Sequence, residues 1–185
     1  DQDLYAVDLA PGAERRLTQG GGGLLSHGGA EFIAQEEMNR DTGYWWSPDE
    51  TRLAYARVDE SGVPETERFE INARSVEVVR QRYPFTGQAN ALVELYVAPL
   101  AALDKPVRVD LGPTTDIYLA RVDFFPDGSL LAVQRQSRDQ KTLDLLKVDP
   151  ATGTATTLLT ERSSTWVPLN DELTFLDNRR QFIWA

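Results

Sequence analysis

Trp45-Trp46-Ser47-Pro48-Asp49-Glu50-Thr51-Arg52-Leu53-Ala54-Tyr55 reads as a turn that feeds an apolar strand. Proline presets φ for the turn, and the Asp49 side chain can bond nearby backbone. Leu53-Ala54-Tyr55-Ala56 is apolar at consecutive positions, the pattern of a strand buried on both faces between neighbouring sheets. The same phrase returns at Phe125-Pro126-Asp127-Gly128, followed by Leu131-Ala132-Val133. A second phrase, a charged strand, an x-Gly turn and Leu-Thr, also occurs twice. Leu4-Tyr5-Ala6-Val7-Asp8 with Gly12 and Leu17-Thr18 matches Leu145-Leu146-Lys147-Val148-Asp149 with Gly153 and Leu159-Thr160. Phe175-Leu176-Asp177-Asn178 begins a degraded third copy of the first phrase.

Working outward, strands are expected at Leu4–Leu9, Arg15–Thr18, Ser75–Arg80, Leu92–Ala98, Ile117–Phe125, Leu130–Val133, Leu143–Val148, Thr156–Thr160, Leu173–Leu176 and Phe182–Trp184. Turns are expected at Pro11-Gly12, Tyr83–Asn90, Asp149–Gly153 and Asp177-Asn178. Gly20–Gly23 and Gly28-Gly29 flank Ser26-His27 and predict a mobile loop; no Gly-Lys-Ser/Thr follows to make it a phosphate cradle. The acidic stretch Asp59–Glu70, with Pro64, predicts an exposed connection. The interval from Pro48 to Pro126 exceeds that from Phe125 to Leu176 by about one strand pair, which places the surplus in 59–90.

No stretch shows long helical periodicity, so the fold class is all-β. Repeats of about 40–50 residues with four strands each indicate antiparallel four-stranded blades of a β-propeller. A ring closes with about four to eight blades, and this chain supplies about three to four. It begins within a hairpin and ends at Ile183-Trp184-Ala185, inside a strand. Residues 1–185 are therefore expected to be part of one β-propeller domain cut from a larger protein, and to self-associate over their open apolar faces.

The chain has 185 residues, 41% of them hydrophobic, and a net charge of −10. Its 19 basic residues are scattered among 29 acidic ones, against what a nucleic-acid surface needs. An acidic surface attracts cationic ligands such as a free amino group. There is no run of about 18 apolar residues to span a membrane, and no signal peptide at Asp1-Gln2-Asp3-Leu4. Cysteine is absent, so thiolate sites are excluded; no metal constellation or cofactor motif is present, and neither a metal nor a cofactor is expected. No Gly-x-Ser-x-Gly elbow occurs. His27, the single histidine, sits beside Ser26 in a glycine loop and would need a third, orienting group and a defined site to serve as a general base, so no catalytic residue is assigned in this chain.

Gln35-Glu36-Glu37-Met38 has no packing purpose that the pattern reveals, and an isolated Glu-Glu pair is ordinarily solvated surface. Its neighbours change that reading. Gln35-Glu36-Glu37, then Trp45-Trp46-Ser47-Pro48-Asp49, then Leu53-Ala54-Tyr55, then Tyr83-Pro84, Gly87 and Asn90 before Leu95-Tyr96-Val97, resembles the propeller domain of the dipeptidyl peptidase IV family of prolyl-oligopeptidase-type serine peptidases. The likeness is specific over about 30–100 and looser from Ile117 onward.

The resemblance implies that Glu36 and Glu37 sit on a short helical excursion from a blade and hold the free α-amino group of a peptide substrate. Tyr44, Arg40 and Asp41 are candidates to orient the pair; Trp45, Trp46, Tyr83 and Pro84 are expected to be structural. The resemblance further implies a catalytic triad in an α/β-hydrolase domain absent from this chain, and a substrate-contacting arginine from an earlier blade. Activity would be release of Xaa-Pro or Xaa-Ala dipeptides, with the chain inactive by itself. The excursion between Glu37 and Trp45 is one residue shorter than in mammalian relatives. The lack of cysteine points to a bacterial member, and hence to an exported protein of the periplasm or envelope. The alternative is a non-catalytic propeller module for binding or scaffolding.

Overall fold

The computed structural model describes residues 2–10, 12–169, 171–177 and 181–184. A hairpin, β1 (Tyr5–Val7) and β2 (Glu14–Arg16), comes first, and its register pairs Tyr5 with Arg16. The next sheet is formed by β3 (Leu25–His27), β4 (Tyr44–Trp46), β5 (Arg52–Asp59), β8 (Leu92–Pro99) and β9 (Val107–Arg108), with α1 (Phe32–Met38) as an excursion between β3 and β4. β6 (Glu65–Ile71) and β7 (Val76–Arg82), which lie between β5 and β8 in the chain, pair with each other as a separate ribbon. The third sheet is the antiparallel meander β10 (Ile117–Phe124), β11 (Leu131–Ser137), β12 (Thr142–Val148) and β13 (Ala155–Arg162). A short hairpin of β14 (Thr174–Phe175) and β15 (Phe182–Ile183) follows.

The second sheet is a blade whose first position is split. β3 pairs with Arg57–Asp59 and β4 with Leu53–Tyr55, both on the same edge of β5. β5, β8 and β9 complete the order. The chain is thus nearly all-β, built as antiparallel blades of a propeller, with one short helix at Glu36-Glu37. The repeated phrases make repeated turns. Ser47 N–H donates to Arg52 C=O at 3.0 Å, and Phe125 N–H donates to Leu130 C=O at 2.9 Å. Asp49 Oδ1 accepts from Thr51 N–H as Asp127 Oδ1 accepts from Ser129 N–H. Leu176 N–H to Gln181 C=O repeats the closing bond; Asn178 of that third copy lies outside the described residues, as do Pro11 and Ala185.

β5 is buried on both faces, as its composition predicts. Ala54, Ala56 and Val58 enter a core shared with Val93, Leu95 and Val97 of β8 and with Leu119, Leu131, Val133 and Val148 of the next blade. Leu53 and Tyr55 face the opposite way, onto Leu17 and Ala98, with Leu4 and Ala6 against them. Strand alternation therefore makes one strand the seam between two layers.

Two expectations are corrected. Ser26-His27 is no mobile loop but part of β3. His27 Nδ1–H donates to Asp3 Oδ1 at 2.8 Å, its backbone N–H donates to Gln2 C=O, and its ring meets Tyr55 edge-on at 5.7 Å. The flanking glycines let the backbone turn sharply into and out of a pinned strand. The exposed connection at Asp59–Glu70 ends early, because Glu65–Ile71 pairs with β7 along its whole length. Its Glu/Arg-rich sequence is that of a ribbon with little core to face; Phe69 and Ile71 are exposed. This ribbon is the surplus strand pair anticipated between the repeats.

Candidate functional site

α1 interrupts the edge strand between β3 and β4. Its neck is tight: Gly43 N–H donates to Gly28 C=O at 3.0 Å, and Gly29 bridges Thr42. A Cβ on Gly43 would stand 2.1 Å from the Gly29 carbonyl oxygen, so glycine is required where the two segments cross.

A seven-residue helix is too short to persist on propensity alone. It is held by one face. Ala34 and Met38, one turn apart, are buried, and Met38 packs with Tyr118 and Ala120 of β10 and with Ile33. Asn39 ends the helix in the left-handed region at φ 51°, and Arg40 N–H returns to Ala34 C=O at 3.0 Å. At the other end, Phe32 meets the Tyr83 ring edge-on at 4.9 Å, and Tyr83 meets Phe85 at 4.7 Å. Tyr83 is structural, as expected.

Underneath runs a buried ion pair. Arg40 Nη2 donates to Glu31 Oε2 at 2.7 Å, with side chains 6% and 4% exposed. Arg40 Nε reaches Leu119 C=O at 3.1 Å, beside the bulge at Ala120 that breaks the β10–β11 ladder, and Nη1 takes Thr42 C=O. The guanidinium also lies 6.0 Å from the Trp45 ring centroid. One cation therefore ties the start of the helix, its exit and the neighbouring blade.

Gln35, Glu36 and Glu37 form the exposed arc opposite Ala34 and Met38. Neither carboxylate has a hydrogen bond or ion pair among the described residues. Of the three orienting candidates, Arg40 is the buried clamp, while Asp41 and Tyr44 are exposed and bond no residue of the helix. Trp45 packs against the core; Trp46 is 42% exposed, more open than a core role predicts. Glu31 carries no signal that pattern reading could have caught, because a glutamate just before a short helix reads as surface and only its burial against Arg40 marks it.

His27 belongs elsewhere. Burial alone would raise the Asp3 carboxyl, but hydrogen bonds from Arg16, Thr18, His27 and the Gly21 backbone outweigh it and hold the carboxyl at about 2. Asp3 is thus ionised, and Nδ1 of His27 carries the proton between them. The cluster ties the first hairpin to β3; it has the bonds of a structural knot.

A family model described as the dipeptidyl peptidase IV N-terminal region matches residues 1–185. Among curated relatives, a probable dipeptidyl peptidase 4 from Aspergillus flavus is 29% identical over 174 residues, covering 89% of this chain and 22% of the relative. An inactive dipeptidyl peptidase 10 from Rattus norvegicus is 27% identical over 174 residues, covering 91% of this chain and 22% of that protein. The chain thus spans about a fifth of the length of the curated relatives it matches. The crystal structure of Porphyromonas gingivalis dipeptidyl peptidase 4 superposes with a TM-score of 0.86 at 24% identity, over all of this chain and 26% of that one, and shares the fold.

Proposed function

Because the chain belongs to the dipeptidyl peptidase IV N-terminal region family, we propose that it is the substrate-recognition part of a serine-type dipeptidyl peptidase. In this reading Glu36 and Glu37 hold the α-ammonium of a peptide with a free N-terminus. The observation that carries it is the pair itself: two exposed carboxylates without a partner among the described residues, on a helix whose opposite face is buried and clamped.

An ammonium has three donors and no acceptor, so two carboxylates can satisfy most of its shell. Fixing that amine fixes the peptide's register. Two extended residues reach roughly 7 Å, so a nucleophile held at that distance meets the second peptide bond and no other. The nucleophile, its triad and a further arginine belong to the rest of the full-length protein, and this chain is inactive without them. In this reading the protein is a bacterial member of the family, exported to the periplasm or envelope.

The test is product mapping. Full-length protein incubated with a peptide carrying Pro or Ala at its second position should release the N-terminal dipeptide first, read by mass spectrometry. Cuts scattered through the interior would exclude amine-anchored counting.

The inactive relative supports one other reading, a non-catalytic propeller module for binding or scaffolding. It predicts no dipeptide release at all.

A further inference from the structure

Glu31 uses only half of its carboxylate on Arg40. Oε2 takes the guanidinium, whereas Oε1 is buried with no hydrogen-bond partner among the described residues. Asn90 Nδ2 is buried in the same condition. Such groups are costly unless satisfied, at about 1–3 kcal/mol each by common experience. Both residues line one cavity of about 10 Å³, between the start of α1 and the loop that enters β8. That volume is about one water molecule.

The chemistry of the two atoms is complementary. A carboxylate oxygen only accepts and an amide N–H only donates, so a water between them can accept from Asn90 Nδ2 and donate to Glu31 Oε1. We infer that a buried water bridges Glu31 and Asn90, and that Asn90 is thereby a positioning residue for the amine anchor. The second part rests on the function proposed above. Glu31 bounds the helix that carries Glu36 and Glu37, and its carboxylate is oriented by Arg40 on one side and by the water on the other. The Phe32–Tyr83 ring contact joins the same two segments, so the bridge is the polar half of a two-point attachment.

The experiment has two arms on full-length protein. A crystal structure that resolves ordered water should show a peak within about 2.7–3.2 Å of both Glu31 Oε1 and Asn90 Nδ2. Direct bonding of the two side chains, or no density between them, overturns the bridge. In the kinetic arm, Asn90→Asp keeps the shape and removes the donor, and Asn90→Leu removes polarity altogether. Both should raise KM for an Xaa-Pro-anilide roughly tenfold while kcat stays within about twofold. A purely steric role for Asn90 would leave the Asp variant like wild type, and that result overturns the positioning role. Glu36→Ala/Glu37→Ala is assayed beside them. If it loses activity while Asn90→Asp is unaffected, the anchor stands and this inference falls. If it retains full activity, the anchor itself falls, and the density alone decides the water bridge.

Discussion

Full-length protein carrying Glu36→Ala and Glu37→Ala should lose about two to four orders of magnitude in kcat/KM on Xaa-Pro-anilides. Each charge-assisted hydrogen bond to the ammonium is worth about 1.5–3 kcal/mol, and a factor of ten corresponds to about 1.36 kcal/mol. Two such bonds give that range. The single variants should each account for much of the loss, because an ammonium left with one carboxylate is no longer held in a fixed direction, and groups that act as a unit are not additive. Thermal stability should hardly change. Both side chains are exposed and bond nothing else among the described residues, and surface substitutions away from special features are usually within about 0.5 kcal/mol. Steady-state kinetics together with a melting curve check both halves. Undiminished kcat/KM would return the pair to solvated surface.

Arg40→Met should have the opposite signature, with a large effect on stability. It strips the partner from a carboxylate that is 4% exposed, and breaking a buried pair by removing one member costs about 3–5 kcal/mol. It also leaves the Leu119 and Thr42 carbonyls without their donor. Glu31→Leu/Arg40→Met should recover much of that loss, since removing both charges also removes the unpaired one. The urea-unfolding midpoints of the two variants and the wild type decide it. Equal destabilisation by the single and double substitutions would mean that the ion pair is not what holds the excursion. Because α1 carries the proposed anchor, Arg40→Met should also raise KM for substrates with a free N-terminus.

The blades were legible because their signals are local. Ser-Pro-Asp and Phe-Pro-Asp turns, each followed by an apolar strand, specify a hairpin within a dozen residues, and both turns close with the same backbone bond. The extra strand pair showed as a difference in spacing, although its first strand was read as connection, since Glu65–Ile71 has charged residues on a ribbon that faces little core. The helix was not legible from periodicity. Seven residues hold only one i, i+4 apolar pair, Ala34 and Met38, so its expectation came from resemblance. What lies beneath it was hidden for a different reason. Arg40 and Glu31 look like surface residues by composition, and only the folded chain shows them buried as a pair, with Arg40 bonded to Leu119, 79 positions away. His27 was misplaced because glycines on both sides suggest mobility, whereas its carboxylate partner, Asp3, lies 24 positions away.

The central claim is that the carboxylate pair recognises a positively charged N-terminus. The most direct measurement compares kcat/KM of the full-length protein on an Xaa-Pro-anilide and on the same compound N-acetylated. Acetylation removes the charge and two of the three donors while leaving the scissile bond untouched. A loss of about two orders of magnitude or more on acetylation is the predicted result. Equal cleavage of the two compounds would contradict the account.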